Sequence, residues 1–171
     1  MLPRFDMKRL HATLDAERRA RGLSWDALTD EINKPFEGTP SIPISVATIR
    51  GMPGKRSVTG AVVLQILRWL HRAPESFLAG GNFAQETKET LPEPGPSRIL
   101  RFDTRALYRA LDAARRRQEL SWHALARELP GFTENTLMNL STGPLIGFPR
   151  VMVLTQWLQR PAADFVRAHA R

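Results

Sequence analysis

Residues 5–32 read FDMKRLHATLDAERRARGLSWDALTDEI, and residues 102–129 read FDTRALYRALDAARRRQELSWHALAREL. The two stretches align without a gap at a separation of 97 and agree at 14 of 28 positions. Leu23-Ser24-Trp25 with Ala27-Leu28 matches Leu120-Ser121-Trp122 with Ala124-Leu125. Further on, the repeat resumes at a separation of 88. It pairs Thr48 with Thr136, Trp69-Leu70 with Trp157-Leu158, Arg72 with Arg160 and Phe77 with Phe165. Self-similarity of this length decides the architecture before any single element does. It implies two copies of one small helical domain. The shift, 97 − 88 = 9, puts nine extra residues in copy one between Ile32 and Ser45.

Working outward, copy one spans residues 1–79 and copy two residues 98–171. Between them Gly80–Ser97 (GGNFAQETKETLPEPGPS) is Pro/Gly-rich, lacks helical periodicity and reads as a linker. Limited proteolysis is expected to cut there and release two stable helical fragments. The chain has no cysteine, which removes disulfides and thiolate metal sites and suits a reducing cytoplasm. No apolar run approaches the roughly 20 residues of a membrane span, and Met1–Leu10 lacks the apolar stretch of a signal peptide. Net charge is +8. Residues 98–171 hold twelve Arg against six Asp/Glu (+6), while residues 1–97 hold thirteen Lys/Arg against eleven acids (+2). An excess of this sign suits a phosphate backbone as partner. The plain alternative is a protein that is basic without binding polyanions.

Both copies carry the same order of elements. Met7, Leu10 and Leu14 in copy one, and Ala106, Leu107, Ala110, Leu111 and Ala114 in copy two, recur at helical spacing. Arg18-Arg19 and Arg115-Arg116-Arg117 follow, read as solvated helix ends where the dipole favours cations. Ser24 and Ser121 are N-cap candidates for a second short helix, with Trp25, Leu28 and Ile32, or Trp122, Leu125 and Leu129, turned inward. A third helix is expected over Glu134–Leu140, capped by Thr133, and near Val46–Met52. A fourth is expected over about Pro149–Gln159 and Val58–His71, and a terminal one near Pro74–Leu78 and through Phe165. The fold class is therefore all-α, two tandem five-helix domains. The insertion, residues 33–41 (NKPFEGTPS), holds two prolines and a glycine. It reads as a tolerated surface loop, with Lys34, Thr39 and Ser41 touching the backbone of a polyanionic partner as the functional alternative.

The Leu-Ser-Trp-x-Ala-Leu segment, then Thr-x-x-Thr-Leu-x-x-Leu-x-x-Gly (Thr133, Thr136, Leu137, Leu140, Gly143), then Trp-Leu-x-Arg-x-x-x-x-Phe, resembles the lambda-repressor/Cro-type helix-turn-helix family, also called the xenobiotic-response-element type. The resemblance covers both copies. It implies a five-helix DNA-binding domain with its third helix in the major groove, and a transcriptional regulator. Carried over position by position, it assigns base contact to Val46, Ala47 and Arg50 in copy one and to Glu134, Asn135, Met138 and Asn139 in copy two. Asn can pair adenine, Arg can grip guanine, Glu can accept from cytosine, and Val, Ala or Met can touch the thymine methyl. The alternative is that these side chains merely face solvent. Lys55, Arg56 and Arg150 are the phosphate-contact candidates. Where the family often has Gln at the start of helix two, this chain has Trp25 and Trp122, which suit packing better than phosphate contact.

Catalytic chemistry is not expected. His11, His71, His123 and His169 lack metal-ligand spacing, and Gly51–Arg56 fails the phosphate-loop pattern, with Arg56 where Ser or Thr belongs. No nucleophile elbow or carboxylate cluster occurs. The expected function is thus sequence-specific double-stranded DNA binding by a non-enzyme, without cofactor or metal, in the cytoplasm at the nucleoid. A second copy of the chain or another regulator are further candidate partners. The competing class is a protein-interaction module, antitoxin-like or adaptor, that uses the same scaffold to bind a protein.

Overall fold

The computed structural model describes residues 2–79, 91–95, 97–143 and 146–169. Most of the Gly80–Ser97 stretch, and Pro144, fall outside the described residues. Among those described the fold is mostly helical, with eight α-helices and six short strands. Copy one contributes α1 (Met7–Ala20), α2 (Trp25–Asn33), α3 (Val46–Arg50) and α4 (Gly60–Leu70). Copy two contributes α5 (Thr104–Arg117), α6 (Trp122–Glu128), α7 (Glu134–Met138) and α8 (Arg150–Leu158). The helices begin where local chemistry puts them. Asp6 and Asp103 cap α1 and α5 by accepting from Arg9 and Ala106 N–H at 3.0 and 2.9 Å. Ser24 and Ser121 cap α2 and α6 by accepting from Ala27 and Ala124 at 3.1 and 3.0 Å.

The fold is mostly helical, as expected, and adds six short strands in three two-stranded sheets among the described residues. The strands are β1 (Arg4–Phe5), β2 (Val58–Thr59), β3 (Leu78–Ala79), β4 (Ile99–Phe102), β5 (Gly147–Phe148) and β6 (Val166–His169). Within each copy the residues before the first helix pair antiparallel with the last residues. Phe5 lies opposite Leu78 in copy one, and Phe102 opposite Val166 in copy two. The expected terminal helices shrink to 3-10 turns, Pro74–Phe77 and Ala162–Phe165, because the chain then turns extended to join these ladders. The fourth helix of copy one starts at Gly60, since Val58 and Thr59 are engaged in β2.

The β2–β5 pair lies between copies, with Val58 opposite Phe148 and Thr59 opposite Gly147. Around it the hydrophobic core runs continuously from one copy into the other. Phe148 is fully buried and meets Phe5 edge-on at 4.9 Å and Phe102 at 5.6 Å between ring centroids. The position equivalent to Phe148 in copy one is Gly60 (148 − 88 = 60). A Cβ there would sit 2.9 Å from a Phe102 ring carbon and from the Ile146 carbonyl oxygen, so glycine lets the facing copy approach. Polar groups close the same junction. The buried Gln65 amide donates to the Leu100 carbonyl at 2.9 Å, and Leu100 N–H points back to its oxygen at 3.4 Å. The Glu75 carboxylate accepts from Ala162 N–H at 2.6 Å.

The insertion is more than a tolerated surface loop. The nine extra residues divide between two added to the second helix and seven added to the connection after it. Asn33 ends α2 and brackets the loop: its amide donates to the Ile44 carbonyl and accepts from Ile44 N–H, both at 2.9 Å. Lys34–Phe36 form a 3-10 turn that buries Phe36. The Pro35 carbonyl accepts from Arg98 N–H at 3.2 Å, which ties the insertion to the entry of copy two.

Candidate nucleic-acid interface

The two third helices are built alike. Ser45 and Thr133 occupy equivalent positions (45 + 88 = 133) and cap α3 and α7, accepting from Thr48 and Thr136 N–H at 3.1 and 3.3 Å. In α7 the box is reciprocal, with Thr133 N–H donating to the Thr136 hydroxyl at 2.8 Å. Each helix is short and anchored inward by one fully buried residue, Ile49 in α3 and Leu137 in α7. A helix pinned by one face leaves the opposite face outward. Ala47, Arg50, Glu134, Asn135, Met138 and Asn139 are exposed, and Val46 is half-buried. Met138 (42 % exposed) and Ile42 (87 %) are the large hydrophobic side chains left exposed among the described residues. One lies on α7; the other lies between the insertion and α3.

The cations divide by role. Lys55 and Arg56 stand exposed in the connection from α3 to β2 and form no ion pair among the described residues. Arg150 is half-buried and already employed. It donates to the Gly131 carbonyl at 2.8 Å and lies over the Phe132 ring at 4.5 Å, fastening the turn between α6 and α7. Copy two has no counterpart of Lys55, where Gly143 stands (55 + 88 = 143). Of the insertion's candidates, Lys34 is exposed, while the Thr39 hydroxyl donates to the Phe36 carbonyl at 2.7 Å and folds the loop on itself.

Between the first and second helices of each copy sits a side-chain stack that the sequence alone does not announce. Trp25 lies between His11, stacked at 5.4 Å, and the Arg18 guanidinium at 4.5 Å. Trp122 lies in the same way between Tyr108 at 5.1 Å and Arg115 at 4.7 Å. Both arginines also donate at 2.8 Å to the carbonyl that precedes the capping serine, on Leu23 or Leu120. Each pairs with a carboxylate one turn back, Asp15 or Asp112. The hydrogen bond from the arginine holds both carboxyls below the usual carboxylate range. Arg18 and Arg115 thus fasten the turn after the first helix and are not solvated helix ends, whereas Arg19 and Arg116, 72 % exposed, are. The available signal was that Asp15, Arg18 and Trp25 recur together as Asp112, Arg115 and Trp122.

A second fastener also repeats. The Trp69 indole donates to Glu31 at 2.8 Å and Trp157 to Glu128 at 2.9 Å, joining the fourth helix to the second in each copy. These bonds fix α2 and α6, against which α3 and α7 pack. Chemically, the outward faces offer a guanidinium, two carboxamides, a carboxylate and apolar groups on rigidly mounted short helices. Among the described residues no helix is long and apolar enough to cross a membrane. No family model, curated protein or solved structure matches this chain.

Proposed function

We propose that the chain binds double-stranded DNA in a sequence-specific way as a transcriptional regulator, with α3 and α7 as two helix-turn-helix readers in one polypeptide. The observation that carries this reading is the equivalence of the two exposed helices. Both have a hydroxyl cap and a single inward anchor, and apart from the half-buried Val46 the residues that the family resemblance assigns to base edges are exposed. Arg50 is the guanine-gripping group, Asn135 and Asn139 pair adenine, Met138 and Ala47 meet thymine methyls, and Lys55 and Arg56 neutralise phosphates. Arg150 keeps a partial role, since its turn-closing bond occupies only part of the guanidinium.

The test is selection of bound sequences from a randomised duplex pool, followed by titration of the selected duplex at several salt concentrations. Arg50→Ala and Asn135→Ala should each cost about 1–3 kcal/mol and relax preference at one base position. Lys55→Ala should weaken all sequences alike and shallow the salt slope by about one. Unchanged binding in all three variants would remove α3 and α7 as the reading faces. One observation favours a protein partner at α7 alone: Met138 is exposed beside the acidic Glu134, with no cation in the place of Lys55. Tight, salt-insensitive capture of a protein through Met138, with duplex binding left to α3, would carry that reading.

A further inference from the structure

We infer that the two readers are related by a twofold axis inside the chain, so that one molecule takes an inverted repeat with unlike halves at one fixed spacing. This rests on the DNA-binding reading above and specifies its target. The axis is visible in the β2–β5 register. Thr59 lies opposite Gly147, and 147 − 59 = 88, the separation that aligns this part of the two copies. At this one pair a residue faces its own equivalent, which is where the axis passes. The flanking contacts obey the same operation: Val58 pairs with Phe148, and its mate under the 88-residue shift is the 2.9 Å bond from Gly60 N–H to the Ile146 carbonyl. Antiparallel strands that pair through equivalent residues are related by a local twofold rotation.

The symmetry reaches beyond the ribbon. α4 of copy one packs on β4 of copy two, and α8 of copy two packs on β1 of copy one. Reciprocity of this kind is the mark of an isologous contact; a head-to-tail arrangement would give one of these packings without the other. Phe5 of copy one meets Phe148 of copy two at 4.9 Å between ring centroids, and the equivalent pair is Phe102 against Gly60, where an added Cβ would lie 2.9 Å from the ring. Each third helix lies one short connection ahead of its paired strand, from Arg50 to Val58 and from Met138 to Gly147, so the same rotation carries α3 toward α7. Readers related by a twofold axis meet the two DNA strands in opposite senses and need inverted half-sites, whereas readers related by translation need direct ones. The halves are unlike because Arg50 stands where copy two has Met138, and Val46 where it has Glu134. Spacing is set by the shared core and not by the length of the Gly80–Ser97 stretch, since buried contacts such as Gln65 to Leu100 lock the copies together.

The experiment uses the full chain and a randomised duplex pool of about 30 base pairs, roughly three helical turns. From the selected sequence, duplexes are made with one half reversed, and with the spacer changed by two base pairs, a rotation of about 70°. Native mass measurement gives the number of chains per duplex. The expected result is one chain per duplex, at least tenfold weaker binding when one half is reversed, and a similar loss on either spacer change. Arg50→Ala should relax one half only and Asn135→Ala the other. Equal or better binding to a direct repeat, tolerance of spacer changes, or two chains on a symmetric site would overturn the axis while leaving DNA binding intact. No enrichment of any sequence, with no salt-dependent duplex binding, would overturn the DNA-binding reading and the axis with it.

Discussion

Glu119 holds a left-handed backbone conformation, φ 55°, at the point where the chain leaves α5. Its equivalent after α1 is Gly22 (22 + 97 = 119), at φ 66°. Copy one thus uses the residue that adopts this conformation freely, and copy two does not. Glu119→Gly should stabilise the protein by about 1 kcal/mol, measured by urea unfolding; a loss would mean that the Glu119 side chain does something its exposed position does not suggest. His11 offers a second contrast. Its Nε2 is buried without a hydrogen-bond partner among the described residues. That burial lowers its pKa below the usual imidazole value, against an opposing pull from Asp15. The unfolded chain therefore takes up the proton more readily than the native one. The stability due to neutral His11 is complete above about pH 6.5 and is lost as pH falls through the native value. Tyr108 fills the same place in copy two and keeps the stack on its tryptophan. His11→Tyr should flatten the fall of the urea midpoint as pH drops below about 6.5. The depressed Asp15 and Asp112 lose their contribution lower, below about pH 4, in both proteins. An unaltered slope in the variant would assign the acid sensitivity elsewhere. At this scale the caps Ser24, Ser121 and Thr133 were legible, because each is local chemistry between residues three apart. The stacks on Trp25 and Trp122 were not, because a guanidinium seven residues back reads as a solvated helix end until the turn brings it round.

The helices could be read from the spacing of Leu10 and Leu14 or Leu107 and Leu111, since a repeat of three to four residues survives in any context. The strands could not. Four of the six are two residues long, too short to show alternation, and they exist because a distant segment supplies the facing backbone. The insertion shows the same limit. Its prolines and glycine announce a loop, but nothing local announces that Phe36 is buried or that Pro35 reaches Arg98. Asn33 is the residue on which that loop closes, with both of its amide hydrogen bonds directed at Ile44. Asn33→Ala would leave the Ile44 N–H and carbonyl without these partners at a part-buried site, a cost of about 1–3 kcal/mol. It would also loosen the residues that lead into α3. Urea unfolding should show the loss, and duplex affinity should fall by more than the matching change at Thr39, which holds only the interior of the loop. Full affinity in Asn33→Ala would show that α3 is positioned without the insertion.

At the scale of the whole molecule the repeat was legible and its consequence was not. Two copies joined by a Pro/Gly-rich stretch suggest two separable domains, and the expected proteolytic product was two independent fragments. The buried faces of Phe5, Val58, Leu100 and Phe148 change that expectation, because they belong to one core drawn from both copies. An isolated half would expose its share of that surface, and the Leu100 backbone and the Ala162 N–H would lose the partners that Gln65 and Glu75 supply across the junction. The sequence signal for this packing was the exchange of Phe148 for Gly60 at equivalent positions, large against small. A protease site placed within residues 80–90 should therefore give a nicked chain whose two parts stay together on native size exclusion. The intact chain should unfold in one transition, not two. Gly60→Val tests the junction directly, since the added atoms would press on the Phe102 ring and the Ile146 carbonyl. Overpacking of this kind costs about 1–3 kcal/mol. It should fall on the contact between copies, so that the nicked variant separates where the nicked parent does not. Separation of the parent into two folded helical pieces would return the molecule to beads on a string. Half-site spacing would then depend on the length of the connecting stretch instead of on the core.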